Sequence, residues 1–227
     1  MGTIVVGLWA GGAFVGNMVD QGISKEHAEG EIIALVEPAR SSPMSVEQAL
    51  WGRRSVRQYR DEALTLEQVS QLLWAAQGVS DAAGHRTAPS AGGLYPLEVY
   101  LVAGKVDDLE AGVYHYLPRE HSIVRVASGD IRTAIASAAL DQRWIQDAPV
   151  ILVIAAVYER TQVKYGDRTV RYVNMEVGAA AQNVYLQAES LGLGTVMVGA
   201  FYELRVQSAM ELEEDVVPLA LMPVGKK

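Results

Sequence analysis

Two segments in the first half of the chain place the same polar pair ahead of an apolar helical face. In SVEQALWGRR, Ser45 is followed three residues on by Gln48, and Val46, Ala49 and Leu50 form the face. In TLEQVSQLLWAAQGV, Thr65 and Gln68 repeat the device; the stripe is Leu66, Val69, Leu72, Leu73 and Ala76, and Gly78 stops it. Such a pair satisfies two free N–H groups at a helix start, so both segments are predicted to be capped helices. Before them, EGEIIALVEPARSSPM (Glu29–Met44) carries two prolines and reads as an extended linker or arm.

The period then changes. LEVYLVAG (Leu97–Gly104) is rich in β-branched and aromatic residues, the composition of a strand. GVYHYLPREHSIVRVA predicts two strands joined by a polar turn at Pro118–His121. DIRTAIASAAL (Asp130–Leu140) predicts a short helix, and APVILVIAAVY (Ala148–Tyr158) is continuously apolar, as for a strand covered on both faces. The longest helical pattern runs from Arg171 to Leu191, with Gly178, Ala179, Ala180 and Ala181 at its centre, where another helix or a ligand can approach closely. TVMVGAF is predicted as a strand, Leu204–Met210 as a short helix and VPLALMPVG as the last strand. Helices alternating with strands and hairpins predict an α+β fold, a mixed sheet with helices packed over it. The expected organisation is an N-terminal segment and linker over residues 1–44 and one domain over 45–227.

Composition narrows the function classes. The 227 residues are half hydrophobic and one-fifth charged, enough for a substantial core. Asp and Glu outnumber Lys and Arg by 27 to 19, a net charge of -8, which argues against broad binding to nucleic acid. The absence of cysteine excludes disulfides, thiolate nucleophiles and cysteine metal sites. His27, His85, His115 and His121 show no ligand spacing, so no metal site is expected. TIVVGLWAGGAFVGN (Thr3–Asn17) is uncharged, and Gly7/Gly11 and Gly12/Gly16 each form a GxxxG. That leaves two readings open: a signal or membrane anchor, or an apolar arm packed on a partner subunit. A cytoplasmic location is expected, with membrane association or export as the alternative.

Against this acidic background, WGRRSVRQY gathers Arg53, Arg54 and Arg57 around Ser55. The guanidinium fork suits phosphate or carboxylate, and in an extended chain Arg53, Ser55 and Arg57 would point the same way. The bland reading is a solvated linker between two helices. PSAGGLYP lets backbone lie close to a flat ligand or a phosphate, but matches neither GxGxxG nor the P-loop spacing. GLGTVMVGAF reads equally as a tight helix-to-strand connection. In VKYGDRTVRY, Lys164 and Tyr165 stand beside Asp167, Arg168 and Arg171. A base of lowered pKa is one reading of this stretch, and an exposed loop is the other.

Taken in order, RRSVRQY, PSAGGLYPLEVY, GAAAQNVYLQAESLGLGTVMVGAF and MPVGKK resemble the FMN-dependent nitroreductase superfamily. The resemblance is closest to its branch of thiazole/oxazole-forming (azoline) dehydrogenases and covers residues 45–227. It implies a mixed, mainly antiparallel sheet flanked by helices and an intertwined homodimer with FMN at the interface. Carried onto this chain, it assigns Arg53, Arg54, Ser55 and Arg57 to the FMN phosphate and ribityl chain. Pro89, Ser90, Ala91, Gly92, Gly93 and Leu94 would cover the flavin from the opposite subunit. Val198, Gly199, Ala200 and Phe201 would run along the ring edge, and Lys226 or Lys227 would return to the phosphate. Typical nitroreductases carry Asn where this chain has Gly93; glycine is like the azoline branch. In that branch a Lys-Tyr pair serves the proton side of the oxidation, which Lys164 and Tyr165 match in type and position. The implied activity is ping-pong hydride transfer on FMN. It is either NAD(P)H-dependent reduction of nitro or quinone acceptors, or oxidation of an azoline-type bond in a small molecule or peptide. A non-catalytic flavin-binding or interaction protein on the same fold is the alternative.

Overall fold

The structure, a computed structural model, describes residues 31–227. The readings for residues 3–17 lie outside the described residues. Seven strands form one sheet: β1 (Ile32–Ala34), β2 (Leu97–Ala103), β3 (Gly112–Leu117), β4 (Ser122–Ser128), β5 (Val150–Val157), β6 (Leu193–Thr195) and β7 (Val216–Lys226), in the order β1-β4-β3-β2-β5-β7-β6. Every ladder is antiparallel, and parallel pairing enters only at isolated bridges such as Ser55 with Thr195. The mixed, mainly antiparallel sheet is present, with the parallel part confined to bridges.

Period-two alternation divides the core into two layers. On one face, Leu97, Val99 and Leu101 of β2 and Leu152, Ile154 and Ala156 of β5 pack with helix α2 (Leu66–Gln77) and, further along the chain, the 22-residue Thr169–Ser190 helix, against which α1 (Val46–Gly52) lies. On the other face, Tyr100, Val102, Ile151 and Val153 pack under α3 (Arg132–Ala138), α4 (Arg143–Asp147) and the Glu203–Ala209 helix. Each fully buried Val, Leu or Ile contributes about 1.5–3 kcal/mol. All eight residues of β5 are buried, since β2 and β7 flank it and helices cover both faces, as its unbroken apolar run predicted.

The caps are as read. Ser45 Oγ accepts from Gln48 N while Gln48 Oε1 accepts from Ser45 N, and Thr65 and Gln68 do the same at α2. Three elements differ from the sequence reading. Ile32–Ala34, inside the stretch read as a linker, pairs with β4 at the sheet edge. Glu159–Tyr165 is a short helix, here α5, so Lys164 and Tyr165 stand on its last turn rather than in a loop. Directly after the 3₁₀ turn Gly166–Arg168 the long helix, here α6, takes over; Glu203–Ala209 is α7. TVMVGAF is not a strand: the ladder holds Leu193–Thr195, and Val198 keeps one bridge, to Leu221. The next partner in the β6–β7 register is Pro223, which has no N–H to offer the ladder. Among the described residues no helix is long and apolar enough to cross a membrane.

Candidate active site

The segment after α1 crosses the sheet edge at β6. Val56 N donates to Thr195 O at 2.9 Å, and a Cβ on Gly194 would come within 2.6 Å of the Val56 side chain, so the missing side chain permits the crossing. Tyr59 Oη anchors the far end on the carbonyls of Val56 and Pro223. Before the crossing, Arg53 lies over the Tyr185 ring, 5.2 Å from its centroid, and Ser55 Oγ is 3.2 Å from Tyr185 Oη. The same phenol oxygen accepts from Met197 N at 2.8 Å. Tyr185 thus ties the arginine segment and the turn after β6 to α6.

In that turn, Val198 and Phe201 point into the core while Met197, Gly199 and Ala200 are exposed. A Cβ at Gly199 would meet nothing within 4 Å, so this backbone borders open space. Gln142 Nε2 donates to Ala200 O at 3.1 Å from the opposite side. Among the described residues, none of Arg53, Arg54 and Arg57 pairs with a carboxylate. On a chain of net charge -8, these unneutralised guanidiniums form a local positive field.

The arginines do not act as one set. Arg54 Nη1 turns back to the carbonyls of Trp51 and Arg53, satisfying the end of α1. Arg57 lies beyond the edge crossing, 5.6 Å from the Trp144 ring, whose packing belongs to the opposite face. The expectation that Arg53, Ser55 and Arg57 point the same way therefore fails at Arg57, because the chain crosses the sheet edge between Ser55 and Arg57. The two terminal lysines also separate. Lys227 Nζ pairs with Glu189 Oε2 at 2.7 Å, and a Cβ on Gly52 would come within 2.6 Å of Glu189 Oε1, so Lys227 sits on the Arg53 side. Lys226 Nζ pairs with Glu62 at 3.0 Å instead.

The second cluster lies further back along α6. Ser90 Oγ accepts from Tyr95 N at 2.9 Å and closes the Pro89–Leu94 loop. Ala91–Gly93 form a single 3₁₀ turn in which Gly92 and Gly93 have φ of 64° and 66°, the left-handed region that glycine tolerates. A Cβ on Gly92 would lie 2.8 Å from both Lys164 Nζ and Tyr165 Oη, so both side chains reach this loop. Lys164 Nζ is 5.6 Å from the Tyr165 ring centroid, and Tyr165 meets Tyr172 edge-on at 4.9 Å. Glu176 Oε1 accepts from Ala91 N at 2.8 Å, whereas its buried Oε2 has no partner. Burial raises the Glu176 carboxyl above its ordinary value, offset in part by the Ala91 N–H, the Ser90 hydroxyl and the Arg86 charge.

A buried ionic group holds the end of this loop. Glu98 Oε1 pairs with Arg160 at 2.5 Å and Glu98 Oε2 with His115 Nε2 at 2.7 Å, while Tyr100 stacks on His115. Arg160, one turn before Lys164 on α5, also donates to Tyr95 O at 3.1 Å. Burial alone would raise Glu98, but the His115 hydrogen bond and the Arg160 charge outweigh it and hold the group low.

Sequence reading missed Tyr185, Glu176, Gln142 and the Glu98–Arg160 pair. One signal was available. Glu176 falls within the apolar stripe Val173, Val177, Ala180, Ala181, Val184, and a carboxylate there requires a buried partner. Tyr185 gives no such signal, since its partners are 130 residues away at Ser55 and across a turn at Met197.

The sequence pattern described as "Nitroreductase family" matches residues 50–226. MJ1384 of Methanocaldococcus jannaschii, which carries the name of a nitroreductase, is 52% identical over 184 residues, covering 81% of this chain and 92% of that protein. The microcin B17-processing protein McbC of Escherichia coli is 30% identical over 169 residues, 71% of this chain and 62% of McbC. An FMN reductase [NAD(P)H] of Bacillus subtilis is 27% identical over 191 residues, covering 78% of this chain and 64% of its own length. A crystal structure from Ralstonia eutropha JMP134, described as a nitroreductase, superposes with a TM-score of 0.74 at 31% identity, covering 86% of this chain and 89% of the other.

Proposed function

The chain belongs to the nitroreductase family, and on that premise we propose that it is an FMN-dependent oxidoreductase acting as a homodimer. The observation that carries the reading is the division of the site along α6. Tyr185, which holds Arg53 and Ser55, stands nine residues from Glu176, which holds the Pro89–Leu94 loop, roughly 14 Å along the helix axis. On this reading the two halves of the site stand apart in one chain. A second copy in two-fold register would bring the loop of one to the arginine end of the other. Exposed Trp51, Val163, Val170 and Met175 supply apolar surface for such a contact.

The residues present fit FMN. Among the described residues Arg53 has no carboxylate partner, Ser55 is exposed beside it, and the backbone at Gly199 borders open space. Arg53, Ser55 and Lys227 would hold the phosphate, with Lys227 exchanging Glu189 for it. Arg57, Val198, Gly199, Ala200 and Phe201 would border the ring, and Pro89–Leu94 of the second copy would cover it. Bound flavin supplies two-electron hydride chemistry. The chain's own part is to orient it through the Tyr185 tie, to exclude water with the loop, and to hold a proton at Lys164 Nζ or Tyr165 Oη.

The convergence of these two groups on Gly92 favours a reaction with a proton step at the substrate, dehydrogenation of an azoline-type C–H in a small molecule or peptide. NAD(P)H-dependent reduction of nitro or quinone acceptors is the second reading, supported by the FMN reductase [NAD(P)H] relative. The protein should elute as a yellow dimer and bleach anaerobically with NADH, NADPH or a substrate. Arg53→Ala should lose flavin on gel filtration, and Lys164→Ala should keep flavin while losing substrate dehydrogenation. Colourless protein that cannot be reconstituted with FMN overturns the reading. Yellow protein that no reductant bleaches leaves a flavin-binding module instead.

A further inference from the structure

Three groups converge on the Pro89–Leu94 loop without belonging to it: Lys164 and Tyr165 from α5, and Glu176 from α6. The α6 side is built at i, i+4 spacing. Tyr172 and Glu176 share one helix face. Tyr172 packs edge-on against Tyr165, and Glu176 grips Ala91 N. Gly92 is the next residue in the loop and the point at which Lys164 Nζ and Tyr165 Oη arrive. A single helix turn thus holds both partners of one contact.

Loop and helix turn face different demands. Gly92 and Gly93 occupy left-handed conformations and have no side chains to lock them. The 3₁₀ turn supplies Gly93 N to Ser90 O at 3.1 Å and Leu94 N to Ala91 O at 3.4 Å. The Ala91 N–H bond to Glu176 fastens the turn from outside. The Ala91 N–H, the Ser90 hydroxyl and the Arg86 charge do not offset the burial of this carboxylate, whose Oε2 has no partner, so it costs stability and is not explained by packing alone. An apolar residue would fill the stripe at lower cost, and only an acceptor can hold Ala91.

We infer that Glu176 is a positioning residue: through Ala91 it holds the Ala91–Gly93 turn, with Gly92 and Gly93 left-handed, in the form that receives Lys164 Nζ and Tyr165 Oη. The inference rests on the reading that this loop and the Lys-Tyr pair form the substrate side of the site, and adds a residue that acts only through them. Arg86, ahead of the loop, is the charge that acts on Glu176; Lys164 and Tyr165 of α5 meet the same loop at Gly92, and Tyr172 stands one turn back on α6 against Tyr165.

The test separates this inference from the reading beneath it. Amide hydrogen exchange on the flavin-free chain reads the turn without reference to catalysis. Glu176→Ala should speed exchange at Ala91–Gly93 by about tenfold or more, as for a lost charge-assisted bond, leaving β5 and the body of α6 unchanged. Glu176→Gln keeps a carbonyl acceptor and should remain protected. If Glu176→Ala does not fold, wild type and Glu176→Gln are compared across the acid range. Wild-type exchange at Ala91 should then depart from the intrinsic pH dependence as the carboxylate is protonated, and Glu176→Gln should not. Unchanged Ala91 exchange in Glu176→Ala, or identical pH profiles for wild type and Glu176→Gln, overturns the inference. On the catalytic side, Glu176→Ala should lower kcat more than it changes KM. The Glu176→Ala/Lys164→Ala double variant should lose no more than Lys164→Ala alone. Full additivity overturns action through Lys164. A Lys164→Ala variant with wild-type turnover instead removes the proton role of the pair, and the exchange result still decides the positioning of the loop.

Discussion

Two carboxylates with the same 5% exposure fasten the Pro89–Tyr95 region, and they are built in opposite ways. Glu98 in β2 has both oxygens engaged, by the Arg160 guanidinium and by His115, and Arg160 passes the restraint on to Tyr95 O. Glu176 in α6 has one oxygen on a backbone N–H and the other without a partner. Burial pushes both pKa values up; at Glu98 the partners reverse the direction, and at Glu176 they do not. Burial therefore does not set the sign of a carboxylate's shift. The number and charge of the groups that meet its oxygens do.

The largest break in this comparison is Glu98→Gln. Removing the charge leaves Arg160 without its counter-ion, so chemical unfolding should show a loss of about 3 kcal/mol at neutral pH. Because the folded pKa of Glu98 is depressed, its contribution is present above the unfolded carboxylate pKa and is lost as pH falls through the folded value. The gap between wild type and Glu98→Gln should accordingly narrow in acid; a constant gap would mean that charge is not the cause.

Gly92→Ala is next. A Cβ at φ 64° costs roughly 1–2 kcal/mol, and here it would also meet Lys164 Nζ and Tyr165 Oη at 2.8 Å. Stability should fall by about that amount while turnover falls further, since the added methyl displaces the pair. Equal losses at Gly84→Ala, where φ is 87° and nothing lies within 4 Å, would reduce the effect to backbone strain.

The smallest effect is of opposite sign. Glu176 has a raised folded pKa, so ionising it costs stability as pH rises from the unfolded carboxylate value through the folded one. Glu176→Gln stays neutral, so its thermal stability should match wild type in acid and move above it as pH rises. A variant that loses ground as pH rises would place Glu176 with Glu98 as a paired carboxylate.

Much of the fold was legible because it rests on local or periodic signals. The Ser45/Gln48 and Thr65/Gln68 boxes are local hydrogen-bond chemistry, and β5 announces its burial on both faces by an unbroken apolar run. The end of β6 was not legible, because Pro223 limits it only once the β6–β7 register is known. Arg53, Ser55 and the glycine loop were legible as residue types suited to anions and close approach. Their separation along α6 and the departure of Arg57 toward Trp144 were not.

By itself the sequence determined the α+β plan, the capped helices, the central strand and which residue types suited to anions, close backbone approach and proton transfer the chain carries. Each depends on neighbours a few residues apart or on a period of two or 3.6. The tertiary structure alone decided which of those residues meet: Ser55 with Tyr185, Lys164 and Tyr165 with Gly92, Glu176 with Ala91, Lys227 with Glu189. Those contacts join residues 38 to 130 positions apart. No local pattern encodes them, because they arise from the stacking of helices on a sheet whose edge one extended segment has to cross.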